Sequence, residues 1–418
     1  MSSRTITECR SCGSAGLQSI LDLGLMPHSD GLRRPDQLEL DEPKYPLELV
    51  FCPHCGLVQI NEEVDPEVLF GDDYPYFSSF SDSLLKHSKK NVDGLCEWRG
   101  LGAENLVVEL ASNDGYLLQY FQQNGVEVLG IDPAPGPAKA AQEKGVPTLN
   151  TFFTKDLADQ LVAEGKRADV VVGNNVMAHV PDLNGFVAGI AALLTDTGTT
   201  SIEAPYVVDL IDHCEFDTIY HEHLCYFSVT AVKALFERHG LHLNRVVHLP
   251  IHGGSLRYHG GKTAEPDGSV EEFLKKEKEL GVTEIGFYEA FGAKVRALRD
   301  AMQQFVAAKQ AEGKRFAAYG AAAKGAIMLN YVGLDESKIE FVVDRNVHKQ
   351  GRFMPGYAIP IHAPEHLLES MPDYTVLLPW NLEKEIIGQQ LEYLEKGGKF
   401  LIPVPTPREV SLEDVQPS

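Results

Sequence analysis

The chain has 418 residues, 37 of them basic and 60 acidic, for a formal net charge of −23. That balance argues against nucleic acid or an anionic membrane as partner, and admits an anionic small molecule only where a local basic pocket offsets it. With 44% hydrophobic and 23% charged residues, the composition is that of a globular protein long enough for two or three domains.

Taken from the amino terminus, MSSRTITECR lacks the apolar core of a signal peptide, and no apolar run reaches the ~18 residues of a membrane span. A cytoplasmic location is therefore expected. Seven cysteines is an odd number, and four fall into two close pairs, Cys9-x-x-Cys12 and Cys52-x-x-Cys55. Each pair sits in a turn-forming context, CRSCGS and CPHCGL, with glycine directly after the second cysteine. Such knuckles aim backbone N–H groups at thiolate sulfur, and four thiolates complete a tetrahedral zinc site. Four unrelated thiols or a redox pair explain the paired spacing less well. Zinc here is structural, since four protein ligands leave no open position for chemistry.

FGDDYPYFSSFSD, residues 70–82, interleaves aromatics with Ser78, Ser79 and Ser81, as a surface loop presenting hydroxyls or as a plain domain connector whose Tyr74 and Tyr76 pack. A helix over Ser83–Trp98 precedes NLVVELASNDG. There an apolar run, Leu106–Leu110, carries Glu109 and breaks into a small-residue turn, Ala111-Ser112-Asn113-Asp114-Gly115. Tyr116–Gln123, including Leu117, is amphipathic, and VEVLGIDPA closes on Asp132 and Pro133. This is a βαβ unit. Small turn residues let a ligand approach the backbone, and an acid ending the second strand can grip ribose hydroxyls. One glycine stands where a dinucleotide fingerprint has three, so NAD is disfavoured. S-adenosylmethionine (SAM), with no pyrophosphate to seat on the helix, fits better.

The pattern repeats at ADVVVGNNVMAHVPDLNGFV, where a strand over Val170–Val172 ends in Gly173-Asn174-Asn175 with His179 beyond. That carboxyl edge is where ligands bind in doubly wound sheets. Thr197–Val207 gives the next strand. Val246–Pro250 and Ser255–Gly260, joined by His252-Gly253-Gly254, read as a closing hairpin. Between them lies EFDTIYHEHLCYFS, with Tyr220, His221, Glu222 and His223 consecutive and Tyr226 following. If extended, it puts Tyr220 with Glu222 on one side and His221 with His223 on the other. Acid–base work by the histidines, a metal site and a polar loop all compete; its place after a strand of the cofactor sheet favours catalysis.

Glu271–Gln310 is charged and helical and reads as a long connector. KRFAAYGAAAKGAIMLNY then opens a second α/β unit, continued by strands in Ile339–Asn346, Thr375–Asn381 and Lys399–Pro405. A helix start with Lys324, together with HKQGR at 348–352, suits phosphate; the competing reading is a domain that only packs or dimerises. The tail EVSLEDVQPS is expected to fray.

Assembled, these pieces resemble the nucleotide-sugar C-methyltransferases, SAM-dependent enzymes that add a methyl branch to a deoxysugar. The resemblance runs from Cys9 to Pro405 and rests on the two CxxC pairs, Tyr74–Ser81, ELASNDGYLL, NNVMAHV, YHEH with YFS, HGGSLR, YGAAAKG and Asp344–Arg352. It implies a small zinc-binding domain (1–70) capping the active site, a class I SAM methyltransferase sheet of Rossmann-like α/β type (71–265), a helical connector (266–312) and a second Rossmann-like α/β domain (313–410) for the nucleotide sugar. The implied substrate is a dTDP-linked 4-keto-6-deoxyhexose methylated at C3. By the same resemblance His223 is the base, Tyr220, Glu222 and His179 surround the sugar, and Tyr74 sits over it. SAM falls to Glu109, Ala111, Asn113, Gly115, Tyr116, Leu117, Asp132, Pro133, Asn174 and Asn175. The sugar nucleotide falls to Tyr76, Ser79, Tyr319, Lys324, Asp344, Lys349 and Arg352. LGLMPHSDGL, residues 23–32, departs from the family's usual LGxxPLAN-like wording after the first knuckle. An O- or N-methyltransferase on a related sugar, or a non-catalytic SAM- and nucleotide-binding protein, are the competing functions.

Overall fold

The computed structural model describes residues 3–65, 77–251 and 253–415; Tyr74, Tyr76 and His252 lie outside them. The first strands are β1 (Ser3–Thr5), β2 (Gln18–Pro27), β3 (Lys44–Phe51), β4 (Val58–Ile60) and β5 (Glu62–Val64). β1 pairs with β5, and β2, β3 and β4 form an antiparallel meander. Its outer neighbour comes from far along the chain. Strand β11 (Cys225–Tyr226), which follows the YHEH segment, adds to β4 with Cys225 opposite Gln59. The amino-terminal sheet and the YHEH segment are thus one piece of backbone hydrogen bonding.

The central sheet holds β6 (Leu106–Leu110), β7 (Glu127–Ile131), β8 (Thr148–Leu149), β9 (Ala168–Asn174), β10 (Leu194–Pro205), β12 (His242–Leu249) and β13 (Ser255–Gly261). Their order is β12-β13-β10-β9-β6-β7-β8, parallel from β8 to β10 and closed by the antiparallel β12–β13 hairpin. β6 and β9 lie side by side at the switch in strand order, so their carboxyl ends and the turns after them open a crevice. This is the expected sheet of a class I methyltransferase. The strands read as near-continuous apolar runs because helices cover both faces.

The last sheet comprises β14 (Phe316–Tyr319), β15 (Val342–Val343), β16 (Ile361–His362), β17 (Tyr374–Leu377), β18 (Lys399–Ile402) and β19 (Arg408–Val410), in the order β16-β15-β14-β17-β18-β19. Only β19 runs antiparallel. The expected frayed tail is therefore not frayed at its start: Val410 is buried and pairs with Phe400.

The stretch read as a connector forms two helices, Ser269–Leu280 and Ile285–Ala311. The second buries Tyr288, Phe291, Val295, Leu298, Met302 and Val306, a stripe at three- and four-residue spacing. It packs against β2, the helix Val207–His213 and the helix Ala323–Val332, and so braces the amino-terminal, central and last units rather than merely joining two. A Cβ on Gly292 would meet the Ile20 carbonyl at 2.9 Å, which is why helix and strand can approach so closely there. One continuous apolar core runs from Leu21 and Leu49 through Leu110 and Val171 to Met328 and Leu401. Among the described residues, no helix is long and apolar enough to cross a membrane.

Candidate active site

The amino-terminal strands, the central sheet and the last sheet enclose a cavity of about 580 Å³. Asp30 and Val64 come from the first, the turns after β6, β7 and β9 and the YHEH segment from the middle, and Lys324 and Asn381 from the last.

The turns after β6 and β9 are backbone-strained. Ala111, Asn113 and Asn175 hold φ of 56°, 48° and 53°, the left-handed region that non-glycine residues rarely adopt. Asp132 pins this region: its Oδ2 accepts the Asn113 N–H at 2.8 Å and its Oδ1 the Ala134 N–H at 2.8 Å. Burial raises its carboxyl above the usual range, against the pull of those two bonds. Both amide atoms of Asn174 and the Oδ1 of Asn175 are buried without a partner among the described residues. Orphaned polar atoms on a cavity wall are costly unless a ligand answers them, so this end fits a polar cofactor such as SAM. Glu109, Gly115 and Leu117, expected with it, stand behind the wall instead. Glu109 is fully buried, with both oxygens unpartnered among the described residues, and burial, then Asp132 and Asp114, push its carboxyl well up. Gly115 is needed for packing: a Cβ there would meet Val146 Cγ2 at 2.9 Å. Leu117 is core.

The YHEH segment is a turn, not a strand, closed by His223 N–H to Tyr220 O at 2.9 Å. The turn overturns the pleated pairing. Tyr220 stacks on His223, with centroids 4.0 Å apart, while Glu222 and His221 point elsewhere. His221 is buried, donates from Nε2 to Pro46 O at 3.0 Å and packs edge-on against Tyr45. Glu222 accepts from His28 Nε2 at 2.8 Å and from Ser29 Oγ at 3.1 Å and 3.2 Å. Burial opposes charge on both members of that pair, and their mutual bond and attraction outweigh it: His28 is raised, Glu222 lowered.

His223 stands differently. Its Nδ1–H donates to the Thr218 carbonyl at 2.9 Å, which leaves Nε2 the lone pair that accepts the Tyr220 hydroxyl at 2.9 Å. Burial, then the His179 ring with its centroid 4.8 Å away, push His223 down to about 3. His179, itself lowered by burial, keeps Nδ1 without a partner among the described residues. The result is a neutral, tautomer-fixed imidazole with its basic nitrogen beside a phenol.

At the far end Lys324 Nζ donates to Asn381 Oδ1 at 3.0 Å and lies 4.3 Å from the Trp380 ring centre. Burial lowers Lys324, while Asp217 and Glu215 hold it up. Burial in turn raises Glu215 to about 7 and Asp217 to about 6. Asp344, Lys349, Tyr319 and Arg352 do not line the cavity. Asp344 Oδ2 accepts the Ala321 N–H at 2.7 Å and Lys349 Nζ donates to the Ala321 carbonyl at 2.7 Å, so both build the turn that presents Lys324. Ser79 is likewise set back, bonded with Lys144 to Asp114 behind the β6 turn. Asp30, Glu215, Thr218 and Asn381 were not singled out by the sequence reading. Only for Asp30 was there a local cue, the unusual HSD of LGLMPHSDGL.

The four knuckle sulfurs lie within 4.8 Å of one another, with Cys9–Cys55 at 3.5 Å and Cys12–Cys52 at 3.6 Å. Zinc–sulfur bonds of ~2.3 Å in a tetrahedron put sulfurs about 3.8 Å apart, so the set fits zinc. Matching turns close each knuckle, Gly13 N–H to Cys9 O at 2.8 Å and Gly56 N–H to Cys52 O at 2.9 Å.

Comparison with known proteins finds three family models along the chain. Residues 9–70 match a family model described as a zinc binding domain, 88–246 a methyltransferase domain and 250–405 a C-methyltransferase C-terminal domain. C-methyltransferase NovU of Streptomyces niveus is 37% identical over 413 residues, covering 98% of each chain. A ubiquinone biosynthesis O-methyltransferase of Methylobacterium sp. (strain 4-46) is 34% identical over 117 residues, 25% of this chain and 46% of that one. Among solved structures, magnesium protoporphyrin IX methyltransferase of Synechocystis PCC 6803 with bound SAM overlays with a TM-score of 0.33 and 16% identity, over 47% of this chain and 89% of that one.

Proposed function

This chain belongs to the SAM-dependent C-methyltransferases, and we propose that its substrate is a nucleotide-linked 4-keto-deoxysugar, methylated at C3 after removal of the C3 proton by His223. The observation that carries the reading is the His223 site: Nδ1–H fixed on Thr218 O, Nε2 facing a phenol, in one cavity with the SAM turns.

A C3–H beside a C4 ketone is acidic enough for a positioned imidazole. His223 takes it at Nε2, and the Thr218 carbonyl keeps Nδ1 protonated so that only Nε2 serves. Burial makes a lone imidazolium costly here, but the proton arrives together with an enolate, and the two charges offset one another. Tyr220 occupies Nε2 in the free protein; displaced by the sugar, its hydroxyl becomes a donor for the enolate oxygen, a role His179 shares. Asp132, Asn174 and Asn175 hold the cofactor end, and Lys324 takes the diphosphate. SAM, when bound, supplies the sulfonium methyl that the enolate carbon takes up. The four-thiolate zinc site leaves no coordination position for substrate and serves as scaffold.

Mass spectrometry with SAM and a panel of dTDP-, GDP- and UDP-linked 4-ketosugars tests this reading. One ketosugar gains a carbon-linked methyl, and the dTDP form is the expected best. Turnover of a sugar lacking the ketone would favour O- or N-methylation, which needs no α-proton removal.

A further inference from the structure

The departure at His28-Ser29-Asp30 gives the sugar end of the cavity a wall that the cofactor and the base do not explain. β2 ends at Pro27, and the next three residues are clamped on Glu222 through His28 Nε2 and Ser29 Oγ. Just beyond, Arg33 and Phe353 exchange backbone hydrogen bonds at 2.9 Å and 2.8 Å, tying the same strip to the carboxy-terminal unit. Turn bonds from Gly31 N–H to His28 O at 3.1 Å and from Leu32 N–H to Asp30 O at 2.8 Å fix the segment between these anchors. Asp30 therefore has little freedom to move. Its side chain is exposed and lines the cavity. Among the described residues the carboxylate makes no hydrogen bond and no ion pair, whereas its neighbours are all committed: Glu222 to His28 and Ser29, Lys349 to the Ala321 carbonyl.

An ionised carboxylate only accepts hydrogen bonds, so its complement must be a donor. The charges facing it are those of Glu222, His28 and Lys349. Two carboxylates against a histidine held toward its charged form and a lysine leave no excess negative charge, so the corner suits a neutral donor better than an ammonium group. We propose that Asp30 is a specificity-determining residue, presented by the zinc module, whose carboxylate accepts a hydrogen bond from an uncharged ring hydroxyl of the sugar. The inference rests on the reading of the cavity as a nucleotide-ketosugar site.

The test is calorimetric binding in the presence of S-adenosylhomocysteine, which cannot donate a methyl group. The probes are a dTDP-4-keto-6-deoxyhexose with hydroxyls at C2 and C3, its 2-deoxy and 3-deoxy analogues, and its 3-amino analogue. Wild type should bind the parent about 10- to 100-fold tighter than one of the two deoxy sugars. Asp30→Ala should erase that preference, with Asp30→Asn intermediate and zinc content unchanged in both. Equal affinities of wild type and both variants for every sugar would overturn the proposal, as would a uniform loss across the panel, which marks a structural wall. A loss confined to the amino sugar would mean that the carboxylate serves an ammonium group and would overturn it as well. If wild-type protein with intact zinc bound none of these sugars, the underlying substrate reading would fail and this inference with it.

Discussion

Both oxygens of Asp132 are already taken by backbone N–H groups of Asn113 and Ala134, so its second lone pairs are what a ribose would use. Asp132→Ala should weaken SAM binding by about 1.5–3 kcal/mol and also lower the melting temperature, because two turn N–H groups lose their acceptor. Unchanged affinity by calorimetry would move the cofactor elsewhere. His223 makes a different demand. Held near 3, well below its unfolded value of about 6.5, it should stay neutral, with Nδ1 protonated, from pH 8 to pH 5 by ¹⁵N NMR. The sign follows by linkage: as pH falls below about 6.5 the unfolded chain takes the proton first, so this residue's share of stability, complete above that pH, is lost on the way down to 3. A His223 resonance titrating near pH 6.5 would contradict the burial argument. The sequence pointed to Tyr220–His223 as candidates for the chemistry, because four such groups stand in a row. It did not show which faces which, since a turn at Tyr220–His223 replaces the period of two. Glu222 found His28, 194 positions away, a pairing no local pattern encodes.

Among the elements, those with local signatures were legible. The CxxC knuckles, the βαβ turn at Ala111–Gly115 and the β12–β13 hairpin each follow from residues a few positions apart. β11 was not, because a two-residue strand has no pattern of its own and exists by pairing with β4. The helix Ile285–Ala311 was legible as a helix, while its role as a brace lies in what its apolar stripe meets. The contact between the central and last units is testable through Asp217, which is fully buried and accepts from Trp380 Nε1 at 2.8 Å. Its carboxyl, raised to about 6, contributes stability that is present below about pH 4 and lost as pH rises through 6. Asp217→Asn keeps an acceptor without the charge. Against wild type it should therefore gain up to about 3 kcal/mol between pH 4 and pH 8 in urea unfolding. A pH-independent difference would mean that the Asp217 carboxyl ionises in the folded protein as it does in the unfolded chain, so that burial does not raise it.

For the molecule as a whole, the proposed function is distributed: it assigns SAM to the turns of the central sheet, the sugar to a wall lent by the zinc module, and the diphosphate to Lys324 of the last sheet. Removing zinc should separate these parts. Cys52→Ser with Cys55→Ser should abolish metal content and loosen the first ~70 residues to proteolysis, since a module that small lacks core enough to fold alone. Sugar-nucleotide affinity should fall with it, because His28, Ser29 and Asp30 belong to that module, while SAM affinity stays within about threefold. Full zinc content in the double variant would refute the ligand set. The central claim, that carbon methylation begins with proton removal by His223, is tested most directly by isotope exchange. A dTDP-4-ketosugar deuterated at C3 is incubated with protein and a SAM analogue that cannot donate methyl. Wild type should wash the deuterium into water, and His223→Asn should lose both that exchange and methyl transfer while SAM and nucleotide affinities stay near normal. Exchange at the native rate in His223→Asn, or its abolition by His221→Asn alone, would contradict the account.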